Sequence, residues 1–426
     1  MARSKKKTVT GISYEEFDTA TFNHLALYRA MEELVKVANK TVQMPILQTV
    51  RIQVAKMEAK LSVTDLDVSV ECFIPNVEGF LDVRVNASKL KILLEPDDKA
   101  VAARGRMLLS VEDNQPGRAE HIKYLKINVD GLATMIEVVN EDDAPVIPEV
   151  SADECLPLYF GPTFYERLKW LMKAASCDET RYNLNGIVIQ PSKGRMAATD
   201  GHRLHMVEGF DLQRACEIDK QDDDVIMSNG MLEVLLRAMK KYKTFSLSIS
   251  KKQINDVSGK MFLITTGDEY MQWRIMAREL EGQFPEIDQV IPDASNCSIA
   301  IEVNSQLLKK ALVRFRKLYG KQSANSTLVE IMKSEESVKL SAHGDLTEDP
   351  NDVAIIDIPA ERLKGEDKEL KIGFNREYTL DAFDFKGANE ELMIRMEDSL
   401  SPIRISPAEG CVAIVMPVRI EEEKTA

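Results

Sequence analysis

The sequence lacks paired cysteines and long apolar runs. Its six cysteines are scattered and no two form a C-x-x-C pair, so the pattern predicts neither a zinc site nor a disulfide framework and is typical of a reducing cytoplasm. No apolar segment follows the basic N-terminus, and runs such as 411–416 are far shorter than the roughly 18 residues that cross a bilayer. We expect a soluble, cytoplasmic protein with no membrane partner.

Motifs of common catalytic sites are also missing. There is no G-x-S-x-G nucleophile turn and no G-x-G-x-x-G opening a helix. Gly320-Lys321 resembles the end of a phosphate-binding loop, but Phe315 stands at the required earlier glycine and Gln322 follows the lysine. We expect a protein that is not an enzyme and that needs no cofactor.

Positive charge is in deficit. The 55 basic residues are outnumbered by 69 acidic ones, which gives a formal net charge of -14 and argues against nucleic-acid binding unless the basic residues share one face. An exception is the N-terminus, where residues 1–20 include Arg3 and three consecutive lysines and are predicted to form a disordered basic arm.

A four-part pattern occurs three times, starting near residues 24, 163 and 305, about 140 residues apart. Each copy has a helix, a strand-turn-strand unit, a short strand leading through a polar cap into a second helix, and closing strands. The pattern predicts an α+β protein of three similar domains, 21–150, 151–293 and 294–420, followed by an acidic tail, 421–426. Proline-containing connectors, 144–148 and 284–293, are predicted to separate the copies.

The strand and helix bounds follow from apolar spacing. The strand-turn-strand units are predicted at 46–54 with 60–74, 184–190 with 196–207, and 328–333 with 337–343. Asn86, Ser228 and Asn375 are the predicted caps of second helices at 90–94, 232–239 and 378–383.

Basic residues accompany the apolar stripes of the helices. If the repeats surround an axis with their helices inward, these residues give that surface positive charge; ordinary solvated helix faces are the alternative. The residues are Lys36, Lys40, Lys89, Lys91, Arg167, Lys169, Lys173, Arg237, Lys240, Lys241, Lys309, Lys310, Arg314, Arg316 and Lys317.

One string, residues 198–205, places a carboxylate and two imidazoles within six residues. Asp200, His202 and His205, with Asp65 or Asp67, would be the metal site of a hydrolase or nuclease, which is the alternative from another class. The histidines converge on a metal only in a helix, whereas Gly201 and its alternating neighbours favour a strand end or turn.

The same string, A-T-D-G-H-R-L at 198–204, resembles the β subunit of bacterial DNA polymerase III, the β sliding clamp. Further segments resemble that family in the same order, from about residue 24 to 420. They are 45–47, 64–67, 181–186, 282–285, 290–292, 372–375 with Tyr378, and 415–420. The resemblance implies a head-to-tail homodimer of six domains that closes into a ring, with helices lining a central channel and antiparallel sheets outside.

The resemblance also implies the function and the partners. The chain would confer processivity on a replicative DNA polymerase by encircling double-stranded DNA without sequence specificity. Linear peptide motifs of the polymerase, the clamp loader and repair proteins would dock in an apolar cleft between the second and third domains.

Site residues carry over at matching positions. The cleft would contain Leu184, Thr199, Gly201, His202, Arg203, Leu204, Pro285, Val290, Asn375, Tyr378, Leu400, Val415, Met416, Pro417, Val418, Arg419 and Ile420. DNA would be contacted by Lys40, Lys173, Arg181, Tyr182, Arg237 and Arg314, and the dimer by Lys317 and Leu318. No metal ligand or catalytic residue is implied.

Some positions depart from the family pattern. Gln289, Pro402 and Ser323 replace basic, small polar and aromatic residues, so the cleft is expected to have altered specificity. The carboxylates of 421–423 are expected to disfavour acidic peptides. Lys317 stands where an aliphatic contact is usual, so its burial would need a carboxylate partner. A second alternative is a scaffold that keeps the fold but does not encircle DNA.

Overall fold

The described part of the chain contains twenty-five β-strands and seven α-helices, together with short 3₁₀ helices and loops. The structure is a computed structural model, and it describes residues 18–38, 44–113, 122–129, 132–140, 144–158, 161–209, 224–242, 244–250, 259–320, 326–331, 336–343, 353–365 and 368–418. Residues 1–17 of the predicted basic arm, the acidic tail, Lys40, Ser323, Arg419 and Ile420 lie outside these ranges. Residues 19–20 were also predicted to belong to this disordered arm, but they begin a strand, Thr19–Asn23, because Ala20 is buried in the core.

The strands form two antiparallel sheets. The first has the order β8-β7-β6-β1-β5-β2-β3-β4-β16-β15-β14-β9. Its strands are β1 Thr19–Asn23, β2 Thr49–Ala55, β3 Glu58–Thr64, β4 Val68–Pro75, β5 Glu78–Asn86, β6 Arg106–Asp113, β7 Lys123–Val129, β8 Leu132–Glu137, β9 Cys155–Leu158, β14 Phe245–Ser250, β15 Met261–Gly267 and β16 Gln272–Arg278.

The second sheet has the order β13-β10-β11-β12-β24-β23-β22-β17-β20-β19-β18-β21-β25. Its strands are β10 Gly186–Gln190, β11 Arg195–Thr199, β12 Arg203–Glu208, β13 Val225–Ser228, β17 Ile299–Asn304, β18 Ser326–Ile331, β19 Ser337–His343, β20 Val353–Lys364, β21 Leu370–Asn375, β22 Glu391–Met396, β23 Ile403–Ala408, β24 Cys411–Val415 and β25 Pro417–Val418. The helices are α1 His24–Ala38, α2 Ala87–Leu93, α3 Lys99–Ala102, α4 Phe164–Met172, α5 Asn229–Lys241, α6 Ser305–Tyr319 and α7 Arg376–Phe383.

The chain divides into two compact units, 1–157 with 237–278, and 158–236 with 279–426. The second repeat contributes to both. Its strand β16 pairs with β4 of the first repeat, whereas its strand β12 pairs with β24 of the third. Pairing between repeats satisfies edge groups that would otherwise face water. The architecture is α+β, as predicted; the domain bounds at 150 and 293 stay a prediction.

Polar residues cap the second helix of every repeat. Asn86 Oδ1 accepts from the backbone N–H of Lys89 at 2.9 Å, and Ser228 Oγ accepts from that of Met231 at 3.2 Å. Asn375 Oδ1 accepts from two first-turn amides of α7. The predicted caps are confirmed. The helices begin two or three residues earlier than predicted, because helical geometry begins directly after the cap, before the first apolar residue.

Several predicted strands have different bounds. A 3₁₀ helix, Pro45–Gln48, occupies the start of the predicted strand 46–54, because proline favours a helical φ at the first position of a turn. Leu184 likewise ends the 3₁₀ helix Glu179–Leu184 and does not begin a strand. The predicted strands 60–74 and 196–207 are each divided in two, at 65–67 and 200–202.

The turn at 65–67 shows why the first of these strands is divided. Asp65 Oδ1 accepts from the backbone N–H groups of Asp67 and Val68, at 3.1 and 2.7 Å. Thr64 Oγ1 donates to the Val68 carbonyl at 3.3 Å and accepts from the Leu66 N–H at 3.1 Å. These local bonds replace ladder bonds and reverse the chain, which puts Leu66 at a φ of 82°.

The predicted connector 284–293 is partly buried and is not a solvated linker. Phe284 and Ile287 belong to an apolar cluster of the second unit together with Leu184, Leu204 and Val412. Burial of each such side chain contributes about 1.5–3 kcal/mol, so this connector stabilises the packing of β10 and β12. In the described chain no helix has the length and apolar character of a membrane span.

Candidate functional site

The A-T-D-G-H-R-L string forms the turn between β11 and β12. Thr199 Oγ1 donates to the Arg203 carbonyl at 2.6 Å and accepts from the Gly201 N–H at 3.1 Å. Gly201 has a φ of 89°, and a Cβ atom there would lie 2.9 Å from Arg181 Nη1. The backbone conformation therefore favours glycine, whereas the end of the flexible Arg181 side chain can move to admit a Cβ atom.

The carboxylate of Asp200 is used within this turn. Its Oδ1 accepts from the backbone N–H groups of His202 and Arg203, at 2.9 and 3.1 Å, and its Oδ2 accepts from Arg203 Nε at 2.9 Å. These bonds orient the arginine and occupy the carboxylate that a nuclease would need for a metal.

The two histidines of the string have different surroundings. His205 is fully buried, stacks on Trp170 with ring centres 4.4 Å apart, and forms a 2.9 Å hydrogen bond through Nδ1 to the Trp170 carbonyl. Burial lowers the pKa of His205 to about 3, so its imidazole is neutral near pH 7. His202 is exposed, and its ring is 6.4 Å from that of Tyr378. A shared metal site is therefore disfavoured.

Arg203 connects the turn to helix α7. Its guanidinium lies 4.4 Å from the centre of the Tyr378 ring, and its Nη1 donates to Asp381 Oδ2 at 2.7 Å. Two carboxylates, those of Asp200 and Asp381, thus hold a side chain that is only 12% exposed. The result is a rigid cation with an aromatic ring beside it.

The last described strands complete this surface. Arg203 is opposite Val415 in the β12–β24 ladder, and the Met416 N–H donates to the His202 carbonyl at 2.9 Å. Strand β25 then pairs with β21, which ends at the cap of α7. Met416 and Val418 are each 38% exposed. An apolar edge therefore runs beside the Arg203–Tyr378 pair.

Val290 lies on a second segment of the predicted cleft, directly after the 3₁₀ helix Ile287–Gln289. This helix is tied down through Asp288, which bonds to the buried Arg195 and to Lys193 Nζ at 2.6 Å. Hydrogen bonds from Arg195 and then Lys193 lower the pKa of Asp288 to about 2. The exposed Val290 side chain therefore projects from an anchored segment.

The predicted cleft residues divide by accessibility. Side-chain and backbone contacts connect Thr199, Gly201, His202, Arg203, Asn375, Tyr378, Val415, Met416, Pro417 and Val418. Thr199, Leu184, Leu204 and Val415 are buried and lie beneath this surface. Pro285 is exposed, and Leu400, 73% exposed, lies on the loop before β23.

The predicted DNA contacts are dispersed along the chain. Arg181 and Tyr182 are exposed in the 3₁₀ helix beside the Gly201 turn. Lys173, just after α4, donates to the Asp384 carbonyl at 2.7 Å and lies 3.4 Å from Asp381 Oδ1. Arg314 is exposed on α6, whereas Arg237 is on α5 at the boundary of the units.

Lys317 and Leu318 are both exposed in the last turn of α6, and Leu318 is 64% exposed. Asp381 was not predicted as a site residue, although it contacts two residues that were. Its sequence signal is the spacing from Tyr378, since residues three apart on a helix share a face.

Comparisons with known proteins agree with this geometry. The family described as DNA polymerase III beta subunit, C-terminal domain, matches residues 288–419. The beta sliding clamp of Bacillus subtilis (strain 168) is 24% identical over 408 residues, which cover 92% of this chain and 97% of that protein.

Two solved structures share the fold. The beta sliding clamp of Caulobacter crescentus has a TM-score of 0.76 at 22% identity, covering 94% of this chain and 99% of its own. A DnaN sliding clamp (DNA polymerase III subunit beta) from Bartonella birtlesii, bound to griselimycin, has a TM-score of 0.73 at 21% identity, covering 94% and 100%.

The predicted resemblance is confirmed: residues 288–419 match the C-terminal domain family of the DNA polymerase III β subunit, and the chain as a whole has the sequence likeness and the fold of the non-enzymatic β sliding clamps.

Proposed function

We propose that this chain is a DNA sliding clamp that confers processivity on a replicative DNA polymerase. It encircles duplex DNA and docks linear peptide motifs of its partners. The observation that carries the proposal is the surface formed by Arg203, Tyr378 and Met416 around the Gly201 turn, in a chain with the fold of β sliding clamps.

The surface has the chemistry of a peptide cleft. Met416 and Val418 offer apolar area that accepts aliphatic or aromatic anchors, while His202 and Arg203 offer polar contacts that orient a peptide. Val290, Pro285 and Leu400 extend the apolar area in the proposed cleft, and Arg419 and Ile420 follow it in sequence. Griselimycin, which is bound to the Bartonella clamp, is a suitable probe.

Enclosure explains how an acidic protein holds DNA. A closed ring needs no tight phosphate contact, so a net charge of -14 is compatible with binding if the basic residues face the channel. In this proposal Lys173, Arg181, Tyr182, Arg237 and Arg314, together with Lys40, line that channel and let the ring slide.

Ring closure requires a second copy of the chain. Strand β8 is the end strand of the first sheet and exposes Leu132, which is 74% accessible, and Met135. An exposed apolar edge strand pairs readily with another chain. We place this edge, together with Lys317 and Leu318 of the other protomer, in a head-to-tail homodimer interface.

The proposed partners are the replicative polymerase, the clamp loader and other proteins that carry clamp-binding peptides. The proposed location is the cytoplasm. The rival metal-dependent nuclease is disfavoured by the contacts of Asp200 and His205, which are used within the protein.

Retention on nicked circular DNA tests the proposal directly. The protein is loaded with a clamp loader, and retention is measured before and after the circle is linearised. Loss only on linearisation supports topological linkage. Retention on both forms at physiological salt means tight direct phosphate binding and contradicts the proposal; absence from both, with a loader that loads a control clamp, favours the scaffold alternative.

A further inference from the structure

A single carboxylate lies between the two proposed binding surfaces. Asp381 Oδ2 accepts a 2.7 Å hydrogen bond from Arg203 Nη1, and Asp381 Oδ1 is 3.4 Å from Lys173 Nζ. Arg203 belongs to the proposed peptide cleft and Lys173 to the proposed DNA contacts. The same anion therefore neutralises one cation of each surface.

The main chain of Asp381 is held in place, so it does not move with the side chain of Arg203 or of Lys173. The indole Nε1 of the buried Trp170 donates to the carbonyls of Asp381 and Ala382, at 3.1 and 3.0 Å. Trp170 is on α4, which ends directly before Lys173. The two helices are thus joined where the carboxylate is shared, so the backbone of Asp381 stays in place when either cation moves.

Partial burial makes this shared contact effective. The side chains of Arg203, Lys173 and Asp381 are all at most one-third exposed, so salt and water screen their charges less than those of surface pairs. A change in charge near Lys173 therefore alters the electrostatic interaction between Asp381 and Arg203, which lies on the other side of the same carboxylate.

We infer that Asp381 is a positioning residue that couples peptide docking to DNA binding, an inference that rests on the proposed function. A DNA phosphate that draws Lys173 away leaves Arg203 as the main partner of Asp381. Arg203 is then held more firmly over Tyr378, which prepares the cleft for a peptide. Because such coupling is reciprocal, a bound peptide strengthens the DNA contact in turn.

Two substitutions in the same segment separate this role from general effects of charge. Asp381→Asn removes the shared carboxylate but keeps the backbone carbonyl that Trp170 uses. Asp384→Asn is the matched control, because it also removes a carboxylate near Lys173, at 4.0 Å. Asp384 Oδ1 accepts a hydrogen bond from Lys309 Nζ at 2.6 Å, and among the described residues Asp384 forms no ion pair with Arg203. Thermal unfolding verifies that both variants fold.

The experiment measures griselimycin affinity by titration calorimetry at low salt, with and without a short linear duplex. For the unmodified protein we expect the duplex to tighten griselimycin binding about fivefold. For Asp381→Asn we expect about tenfold weaker binding and no response to the duplex, while its direct affinity for the duplex rises. Asp384→Asn should keep the response.

The outcomes distinguish failure of the proposed function from failure of the inference about Asp381. If the unmodified protein binds no griselimycin or is not retained on circular DNA, the proposed function fails. If it does both, the inference is overturned either when the duplex leaves the griselimycin affinity of the unmodified protein unchanged or when Asp381→Asn keeps the duplex response. Should Asp381→Asn unfold, Asp381→Glu replaces it: its longer side chain shifts the carboxylate, and an unchanged duplex response would equally overturn the inference.

Discussion

The guanidinium of Arg203 stacks over the ring of Tyr378 at 4.4 Å, and this contact joins a turn of the second repeat to a helix of the third. Both partners are supported from behind, Arg203 by two carboxylates and Tyr378 by the first turn of a helix capped by Asn375. A surface built in this way is rigid before any ligand arrives, which reduces the entropy lost on binding.

Arg203→Ala is expected to weaken griselimycin binding about tenfold, since it removes a cation–π pair and a charged hydrogen-bond donor. Arg203→Lys should rescue little, because an ammonium does not reproduce the planar fork that Asp200 and Asp381 hold. Calorimetry gives both values. Arg167→Ala, which removes a bond to the Glu409 carbonyl, is the control; equal losses in both alanine variants would contradict a specific role for Arg203.

The two matching turns predict different responses to substitution. Gly201→Ala should lower the free energy of unfolding by about 1 kcal/mol, because an L residue is strained at a φ of 89°. Leu66→Gly, at a φ of 82°, should change it by less than about 1 kcal/mol, since relief of strain offsets the entropy cost of glycine. Urea unfolding measures both, and a larger loss for Leu66→Gly would refute the argument.

Asp288 predicts a pH-dependent contribution to stability. Its pKa is lowered from 3.8 to about 2 in the folded state, so its contribution is fully present above about pH 4 and is lost as pH falls toward 2. The difference in unfolding free energy between the unmodified protein and Asp288→Asn should therefore shrink from pH 5 to pH 3. Urea titrations over this range test it, and a constant difference would contradict the ion-pair explanation.

The proposed dimer predicts that charge at either side of the interface separates the protomers. Leu132→Asp and Leu318→Asp should each yield monomers at micromolar concentration in sedimentation velocity, because a buried unpaired carboxylate is costly. Leu400→Asp is the matched control, as Leu400 is equally exposed but belongs to the proposed cleft. Only monomer in the unmodified protein would refute a stable dimer.

The acidic tail predicts charge-dependent specificity. Deleting residues 421–426 removes three carboxylates and should strengthen binding of acidic peptides at low salt, with little change for neutral ones. Fluorescence anisotropy with a matched acidic and neutral peptide measures the difference. An unchanged affinity of the acidic peptide would contradict the prediction that the tail disfavours acidic peptides.

The sequence by itself determined the local features. The helix caps are one example: Asn86, Ser228 and Asn375 each precede an apolar stripe, and each caps the helix that follows. The Thr199-Asp200-Gly201 segment is another, since it forms a turn. Both features depend only on interactions between near neighbours in the chain. Apolar periodicity likewise indicated most helices and strands, and the threefold repeat indicated the α+β class.

Only the tertiary structure decided how distant segments meet. The second repeat is divided between two units, because β16 pairs with β4 and β12 pairs with β24. Each pairing satisfies the backbone hydrogen-bonding groups of a strand edge that would otherwise be exposed. The same packing buries His205 against Trp170 and places Asp381 between Arg203 and Lys173. Such contacts join residues far apart in the chain, so no local pattern specifies them.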